Sequence, residues 1–257
     1  MREVVKGKNI NELRDNTIYK ACAIYGFDDQ FIEEYQFTKC ILSGSEFHNC
    51  SFRGLVSIEE IHDCYFDSCS FFNIGITGIG NDVKFKKCNF TTLYYTMCDF
   101  AFFENCKVDS LVSDWMEREE DLKYLQKLGI KIFSICNNSI SEKGAKLLSA
   151  ITSLEELYLD RTWKKENVSY LTTLFNLRVL SMHSGINDES LEQIKKLTKL
   201  SYLDLKYTHF TDKGLEHLQA LTSLEVLNLT SVIGITEEGI RKLQKELPDC
   251  EVKRDKW

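Results

Sequence analysis

The sequence predicts a repeat protein made of two successive solenoids, an extended coil in the first half and an α/β solenoid in the second. The composition divides near residue 115, because 13 of the 16 phenylalanines and eight of the ten cysteines precede it. Leucine shows the opposite distribution, with 5 before that point and 25 after it. Each half also repeats its own short motif, so we expect two different cores.

The motif of the first half is a cysteine, then any residue, then a large apolar residue, as in Cys50-Ser51-Phe52, Cys69-Ser70-Phe71 and Cys88-Asn89-Phe90. It often recurs every five residues, a period that suits a square coil with five residues on each side better than a helix or a simple strand. One small and one large residue of each unit would point inward, so stacked coils would bury ladders of cysteine and phenylalanine. We therefore expect Phe52, Phe90 and Phe100 to be core residues.

This pattern resembles the pentapeptide-repeat family over residues 20–108, with cysteine in place of the family's small residue and phenylalanine in place of its leucine. The resemblance implies a right-handed β-helix. Residues 55–63 and 74–82 depart from the five-residue register. Within the second departure, Gly75, Gly78 and Gly80 predict a loop that bulges from the coil.

Leucines of the second half follow the pattern L-x-x-L-x-L in units that begin at Leu154, Leu177, Leu200 and Leu224, with a degenerate copy beginning at Ile130. The successive offsets are 24, 23, 23 and 24 residues, which resembles the leucine-rich-repeat family over residues 130–252. The resemblance implies a concave parallel sheet with helices on the convex side. In Thr211-Asp212-Lys213-Gly214, the threonine predicts a helix cap and the acidic residue suits the helix dipole. Residues 160–173 lack this turn, so we predict a short or irregular helix there.

We therefore divide the chain into a pentapeptide-repeat-like β-helix at 1–113, a connecting and capping helix at 114–129, and a leucine-rich-repeat domain at 130–257 with about five repeats. The connecting helix is predicted by a capping box at Asp114–Glu117 and by Gly129, which can end a helix.

Composition excludes several classes of function. The net charge is −7, of which the first 115 residues carry −6, and no basic cluster suggests a nucleic-acid partner. No apolar run is long enough to span a bilayer, and residues 1–10 lack the apolar stretch of a secretory signal, so we expect a cytoplasmic protein with no membrane partner. The nucleotide-binding, serine-hydrolase and zinc-protease motifs are absent, and so is any C-x-x-C pair. We expect no enzyme activity, no cofactor and no metal.

Strand alternation places the residues between and after the repeat leucines on the open face of the predicted sheet. One row is Ser134, Tyr158, Ser181, Asp204 and Asn228, and the next is Cys136, Asp160, His183, Lys206 and Thr230. Tyrosine and arginine are typical anchors of protein interfaces. We therefore predict a protein-binding site made of Tyr158, Asp160, Arg161, His183, Asp204, Lys206 and Tyr207.

The function most consistent with these features is protein binding without catalysis. Because both repeat types resemble those of bacterial immunity-type proteins, the concrete hypothesis is an inhibitor of a cognate toxin, with a toxin or effector domain as partner. One alternative is a mimic of duplex DNA that acts on a topoisomerase, since some pentapeptide-repeat proteins do so and the first half is acidic. Another is a leucine-rich-repeat effector or adaptor.

Overall fold

The computed structural model describes residues 64–72, 74–76, 83–95, 103–113, 119–136, 140–160 and 163–255, together with the strands given below for residues 3–62. The chain forms two compact units. The first contains residues 1–117 and 127–130, and the second contains residues 118–126 and 131–257.

Short parallel strands make up the first unit. Those before residue 63 are β1 (Glu3–Lys6), β2 (Asn9–Ile10), β3 (Thr17–Lys20), β4 (Ala23–Tyr25), β5 (Ile41–Ser43), β6 (Glu46–His48), β7 (Ser51–Arg53), β8 (Val56–Ile58) and β9 (Glu60–His62). The later ones are β10 (Tyr65–Asp67), β11 (Ser70–Phe71), β12 (Ile74–Ile76), β13 (Lys84–Lys86), β14 (Asn89–Tyr95), β15 (Phe103–Glu104) and β16 (Lys107–Ser113).

These strands stack on four sides of a coil. One stack is β1-β3-β6-β10-β13-β15, and a second is β2-β4-β7-β11 continued by the first halves of β14 and β16. A third is β8-β12 continued by the second halves of β14 and β16, and β5 pairs with β9 on the fourth side. Every pairing is parallel and joins residues one coil apart, so the unit is a repeating solenoid.

Two ladders of phenylalanine fill the coil. Phe47, Phe66, Phe85 and Phe103 stack with ring centroids 4.7, 4.7 and 4.8 Å apart. Phe52, Phe71 and Phe90 form the second ladder at 4.5 and 4.6 Å, and the two ladders meet edge to face. The predicted core positions of Phe52 and Phe90 are confirmed, since both side chains are buried. Phe100 lies outside the described residues.

A thiol ladder, formed by Cys69, Cys88 and Cys106, runs beside the rings. The three thiols donate hydrogen bonds to the carbonyls of Phe47, Phe66 and Phe85, at 3.5, 3.5 and 3.3 Å. A hydrogen bond with Cys88, together with burial, raises the pKa of the Cys106 thiol. Cysteine is therefore used here as a small core residue that also satisfies backbone carbonyls of the preceding coil.

A residue with left-handed backbone precedes each of these cysteines and turns the chain from the first stack to the second. Ser68, Lys87 and Asn105 have φ of 57°, 52° and 53°. Residues other than glycine adopt this conformation at a cost, so the corner is imposed by the stacking of the coils.

Two expectations for the first unit are wrong. The coil does not keep five residues on every side, because Phe47, Phe66 and Phe85 are 19 residues apart and Phe103 follows after 18. Gly75 does not bulge outward either, since it is the middle of β12 and pairs with both Ser57 and Tyr94. The break in register thus begins with a strand of the coil, Ile74–Ile76. Gly78 and Gly80 lie outside the described residues.

The second unit is a solenoid with parallel strands on one side and helical segments on the other. Its strands pair in the order β17 (Ile132–Cys136), β18 (Glu156–Asp160), β19 (Val179–Met182), β20 (Tyr202–Asp204), β21 (Val226–Asn228) and β22 (Glu251–Lys253). Its helices are α1 (Leu122–Leu128), α2 (Glu142–Leu148), α3 (Asp188–Ile194), α4 (Asp212–Leu218) and α5 (Glu237–Glu246). Between sheet and helices lie the repeat leucines, such as Leu157, Leu180 and Leu203, which are fully buried.

A 3₁₀ segment occurs both in the connecting segment and in the irregular repeat. Within the connecting segment 114–129, a 3₁₀ turn at Glu119–Asp121 precedes α1, and Gly129 follows it with φ 64°. Residues 114–118, which include the predicted capping box, lie outside the described residues. The irregular repeat carries a 3₁₀ helix, Lys165–Thr173, in place of an α-helix.

A carboxylate from the preceding segment ties down the start of three helices. The capping residue Thr211 donates both its backbone N–H and its hydroxyl to Asp188, each at 2.7 Å. Thr236 does the same to Asp212, at 2.8 and 2.6 Å, and Ser141 does so to Glu119. We call this arrangement the carboxylate staple. It joins consecutive repeats through groups that a helix start otherwise leaves unpaired.

Among the described residues, no helix has the length and apolarity needed to cross a bilayer.

Candidate binding surface

The open face of the second unit's sheet presents three rows of side chains in register. Because successive residues of a strand point to opposite sides, the residues flanking each buried leucine face outward. The outer row is Ile132, Glu156, Val179, Tyr202, Val226 and Glu251, and the middle row is Ser134, Tyr158, Ser181, Asp204, Asn228 and Lys253. The third row follows the strand ends and contains Cys136, Asp160, His183, Lys206 and Thr230.

Two side chains, those of His183 and Lys206, approach the carboxylate of Asp204, which is buried on the middle row. Oδ2 lies 3.4 Å from His183 Nε2 and 3.7 Å from Lys206 Nζ. Oδ1 accepts the backbone N–H of Lys206 at 3.1 Å. The carboxylate thus holds one basic and one imidazole side chain in fixed positions on the surface.

Ser181, His183 and Asp204 resemble the composition of a catalytic triad, but their geometry does not fit one. A triad needs the serine on one imidazole nitrogen and the carboxylate on the other. Here Ser181 Oγ lies 3.1 Å from Nε2 and Asp204 Oδ2 lies 3.4 Å from the same atom. The imidazole cannot take a proton from the serine while the carboxylate orients its second nitrogen. The cluster is therefore better suited to recognition than to nucleophilic catalysis.

Aromatic side chains lie on both sides of this cluster. The Tyr207 ring contacts His183 edge to face at 6.3 Å, and Lys206 Nζ lies 6.0 Å from its centroid. Tyr158 donates its hydroxyl to Glu156 at 2.8 Å, and burial together with this bond raises the pKa of Tyr158 to about 12. Tyr158 consequently remains a neutral phenol near neutral pH.

The structure can be compared with most of the predicted site. His183, Asp204, Lys206 and Tyr207 come together as described. Tyr158 lies on the same face, two strands from Asp204 in register. Asp160 belongs to β18, although its side chain is outside the described residues, and so is Arg161.

Sequence reasoning missed the outer row. Val179, Tyr202 and Val226 are half-buried there and add an apolar and aromatic strip beside the polar cluster. Their position follows from the same alternation that identified Tyr158, since each lies two residues before a middle-row residue. The signal was present in the third residue of every L-x-x-L-x-L unit.

No cluster of metal-ligating side chains occurs within the part of the chain that the structure describes. The residues of the open face are suited to hydrogen bonds, charge pairs and aromatic contacts with another macromolecule.

No protein-family model matches the sequence, and no curated protein matches it. Among solved structures, the chain resembles an internalin C2 from Listeria monocytogenes with 20% identity and a TM-score of 0.47, covering 71% of this chain and 72% of that one. A second internalin from that organism has 14% identity and a TM-score of 0.44, with 84% of this chain and 79% of that one covered. A leucine-rich-repeat protein from Leptospira interrogans has 13% identity and a TM-score of 0.41, with 83% of this chain and 71% of that one covered. Because these TM-scores are low, we take nothing about function from these proteins.

Proposed function

We propose that this protein is a non-catalytic binding protein that holds another protein on the open face of its second unit. The observation that carries the proposal is the three-row surface, in which Tyr158, Tyr202 and Tyr207 surround a charged cluster already fixed by hydrogen bonds. Solenoids present such extended surfaces to partners. Large aromatic side chains supply most of the energy at interfaces, and pre-positioned charges supply specificity.

The preorganisation of Asp204 supports this function. Its carboxylate already accepts a backbone N–H and lies 3.4 Å from His183 Nε2 and 3.7 Å from Lys206 Nζ. A partner therefore meets side chains whose rotamers are largely settled, and less conformational entropy is lost on binding.

The more specific proposal is an immunity-type inhibitor that blocks a cognate bacterial toxin, acting in the cytoplasm. The use of cysteines as buried core thiols is consistent with a reducing compartment. We also propose that the first unit is a β-helix of the pentapeptide-repeat type. The test of the inhibitor role is rescue of growth when the protein is produced together with a toxin encoded beside its gene.

Duplex mimicry is the second candidate, and it rests on the charge of −6 carried by residues 1–115. In the described residues from 64 to 113, the basic side chains are Lys84, Lys86, Lys87 and Lys107, and the acidic ones are Asp67, Glu104 and Asp109. A surface that imitates a phosphate backbone needs a continuous acidic face. The described stretch carries one more basic than acidic side chain, so the acidic excess on which this candidate depends lies in the other residues of the first 115.

Site-specific photocrosslinking in the native host tests the binding surface. Benzoylphenylalanine is placed at Tyr202 on the open face, and at Glu216 on α4 as the control on the helical side. We expect one discrete protein to be trapped from position 202 and not from 216. Purified, that protein should bind the Tyr158→Ala variant at least about 10-fold more weakly than the wild type. Equal trapping at both positions would contradict the proposal.

A further inference from the structure

Three exposed side chains cluster on the rim of the second unit, just past the ends of β20 and β21. The exposed fraction is 61% for Tyr207 and 70% for Ile233. His209 is also exposed, and its backbone forms a parallel bridge with Ile233. We call Tyr207, His209 and Ile233 the rim cluster. Tyr207 and Ile233 are large residues, aromatic and apolar, and most of their surface is exposed to solvent instead of being buried in the fold.

The backbone under Tyr207 is unusual for so large a residue. Its φ is 62°, in the left-handed region that suits glycine or asparagine. The turn itself recurs in the next repeat, where Ser231 has φ 57°. The fold therefore requires the conformation but not the tyrosine.

The turn that follows Ile233 is one residue longer than its counterpart after His209, and Ile233 is exposed as His209 is. Four residues separate the buried Leu205 from the buried Phe210, whereas five separate Leu229 from Ile235 in the next repeat. The turn accommodates the additional residue at Gly234, whose φ is 104° and whose missing Cβ would lie 2.5 Å from the carbonyl oxygen of Phe210. The chain thus uses a glycine-only conformation in the turn that follows an exposed isoleucine.

Lys206 supplies an accessible basic side chain beside the rim cluster, although the whole chain carries −7. The Lys206 side chain is 34% exposed, whereas that of Asp204 beneath it is 8% exposed. His209 adds an imidazole, whose N–H can donate a hydrogen bond to a carboxylate. Asp255 is an exposed acid in the same region, and its carboxylate accepts hydrogen bonds from the backbone N–H and the hydroxyl of Ser231.

We propose that the rim cluster is the anchor of the interface, and that the bound protein offers it an apolar pocket bordered by carboxylates. Tyr207 and Ile233 would enter the pocket, and Lys206 and His209 would face its acidic border. This inference rests on the proposed function, because it names the part of that surface that contributes most to affinity.

Replacing Tyr207 by asparagine separates the fold from the interface. Tyr207→Asn relieves the backbone conformation, since asparagine tolerates it, so the thermal midpoint should hold or rise. Affinity should fall at least about 30-fold, which corresponds to the loss of one hot spot. Lys87→Asn is the matched control, because Lys87 has φ 52° in the first unit. It should also hold or raise the midpoint while leaving affinity unchanged.

The probe is the protein trapped by benzoylphenylalanine at Tyr202, titrated against wild type, Tyr207→Asn, Ile233→Ser and Lys87→Asn. The rim proposal holds if both rim variants bind at least about 10-fold more weakly and association slows as salt is added. It is overturned, with the binding surface intact, if the trapped protein binds both rim variants like the wild type. A fall in midpoint for Tyr207→Asn also overturns it. Failure to trap any protein at Tyr202 above the Glu216 control overturns the proposed function itself.

Discussion

Gly239 lies in the first turn of α5. Replacing it by alanine should destabilise the protein when residue 212 is aspartate and stabilise it when residue 212 is alanine. A Cβ at Gly239 would lie 2.2 Å from Asp212 Oδ1 and 2.4 Å from its Cγ. Real Cβ atoms do not approach that closely, so Gly239→Ala must displace the carboxylate. Displacement breaks the two hydrogen bonds from Thr236.

The magnitude follows from two opposing effects. Two hydrogen bonds to a partly exposed carboxylate are worth together about 2–3 kcal/mol. Alanine in place of glycine in a helix gains up to about 1 kcal/mol. Gly239→Ala alone should therefore lower the free energy of unfolding by about 1–2 kcal/mol. In an Asp212→Ala background the carboxylate is gone, and the same change should stabilise by up to about 1 kcal/mol.

Urea denaturation of the wild type, both single variants and the double variant, followed by circular dichroism, measures the effect as a double-mutant cycle. The expected coupling is about 2–3 kcal/mol. Equal effects of Gly239→Ala in the two backgrounds would refute the view that the glycine makes room for a neighbouring carboxylate. Gly214 offers a second instance, since its Cβ would lie 2.6 Å from Asp188 Oδ1.

The remaining predictions concern the phenylalanine ladder, the cysteines and the pH dependence of the staple. Phe71→Ala should lower the free energy of unfolding by about 3–5 kcal/mol in urea denaturation, whereas Phe72→Ala, at a site 39% exposed, should change it by less than about 1.5 kcal/mol. In native thiol titration, half-exposed Cys136 should react before the thiol ladder, and rapid labelling of the ladder would mean that these sulfurs are not core groups. Burial opposes ionisation of Asp188, but hydrogen bonds from Thr211 and Gly214 outweigh it and lower its pKa from 3.8. Its contribution is thus fully present above about pH 4 and is lost as the pH falls through the lowered pKa of the folded state, so the urea midpoint of Asp188→Asn should lie further below that of the wild type at pH 7 than at pH 2.

Features that depend on the period of the sequence could be predicted, and features that depend on distance in space could not. The burial of Phe52 and Phe90 follows from the Cys-x-Phe triplets, and the strands β18 to β21 follow from the spacing of the leucines. The 19-residue coil could not be derived, because the five-residue motif marks only two of its four sides. Gly75 has the composition of a loop residue because its position in β12 lies between the buried Ile74 and Ile76 and faces outward, where the size of a side chain is not constrained.

The binding surface shows the same division. Alternation along the strands is enough to predict that Tyr158 and Asp204 lie on one face. The approach of His183 and Lys206 to one carboxylate depends on rotamers, which sequence spacing does not specify. The staple had a signal in Thr211-Asp212-Lys213-Gly214, but the glycine acquires its reason only from the carboxylate of the preceding repeat.

The staple also bears on how such a chain can lengthen. Residues 188–211 and 212–236 each begin with an aspartate and end with a threonine. In each segment the threonine donates two hydrogen bonds to the carboxylate of that aspartate, so one segment contains both partners of a staple. A tandem duplication of either segment would reproduce a matching junction on both sides without any further substitution. At the last such position, Glu237 pairs with Arg254 instead of a threonine, which closes the series. The middle of this solenoid can thus lengthen by duplication, whereas the carboxylate of Glu237 is already paired with Arg254.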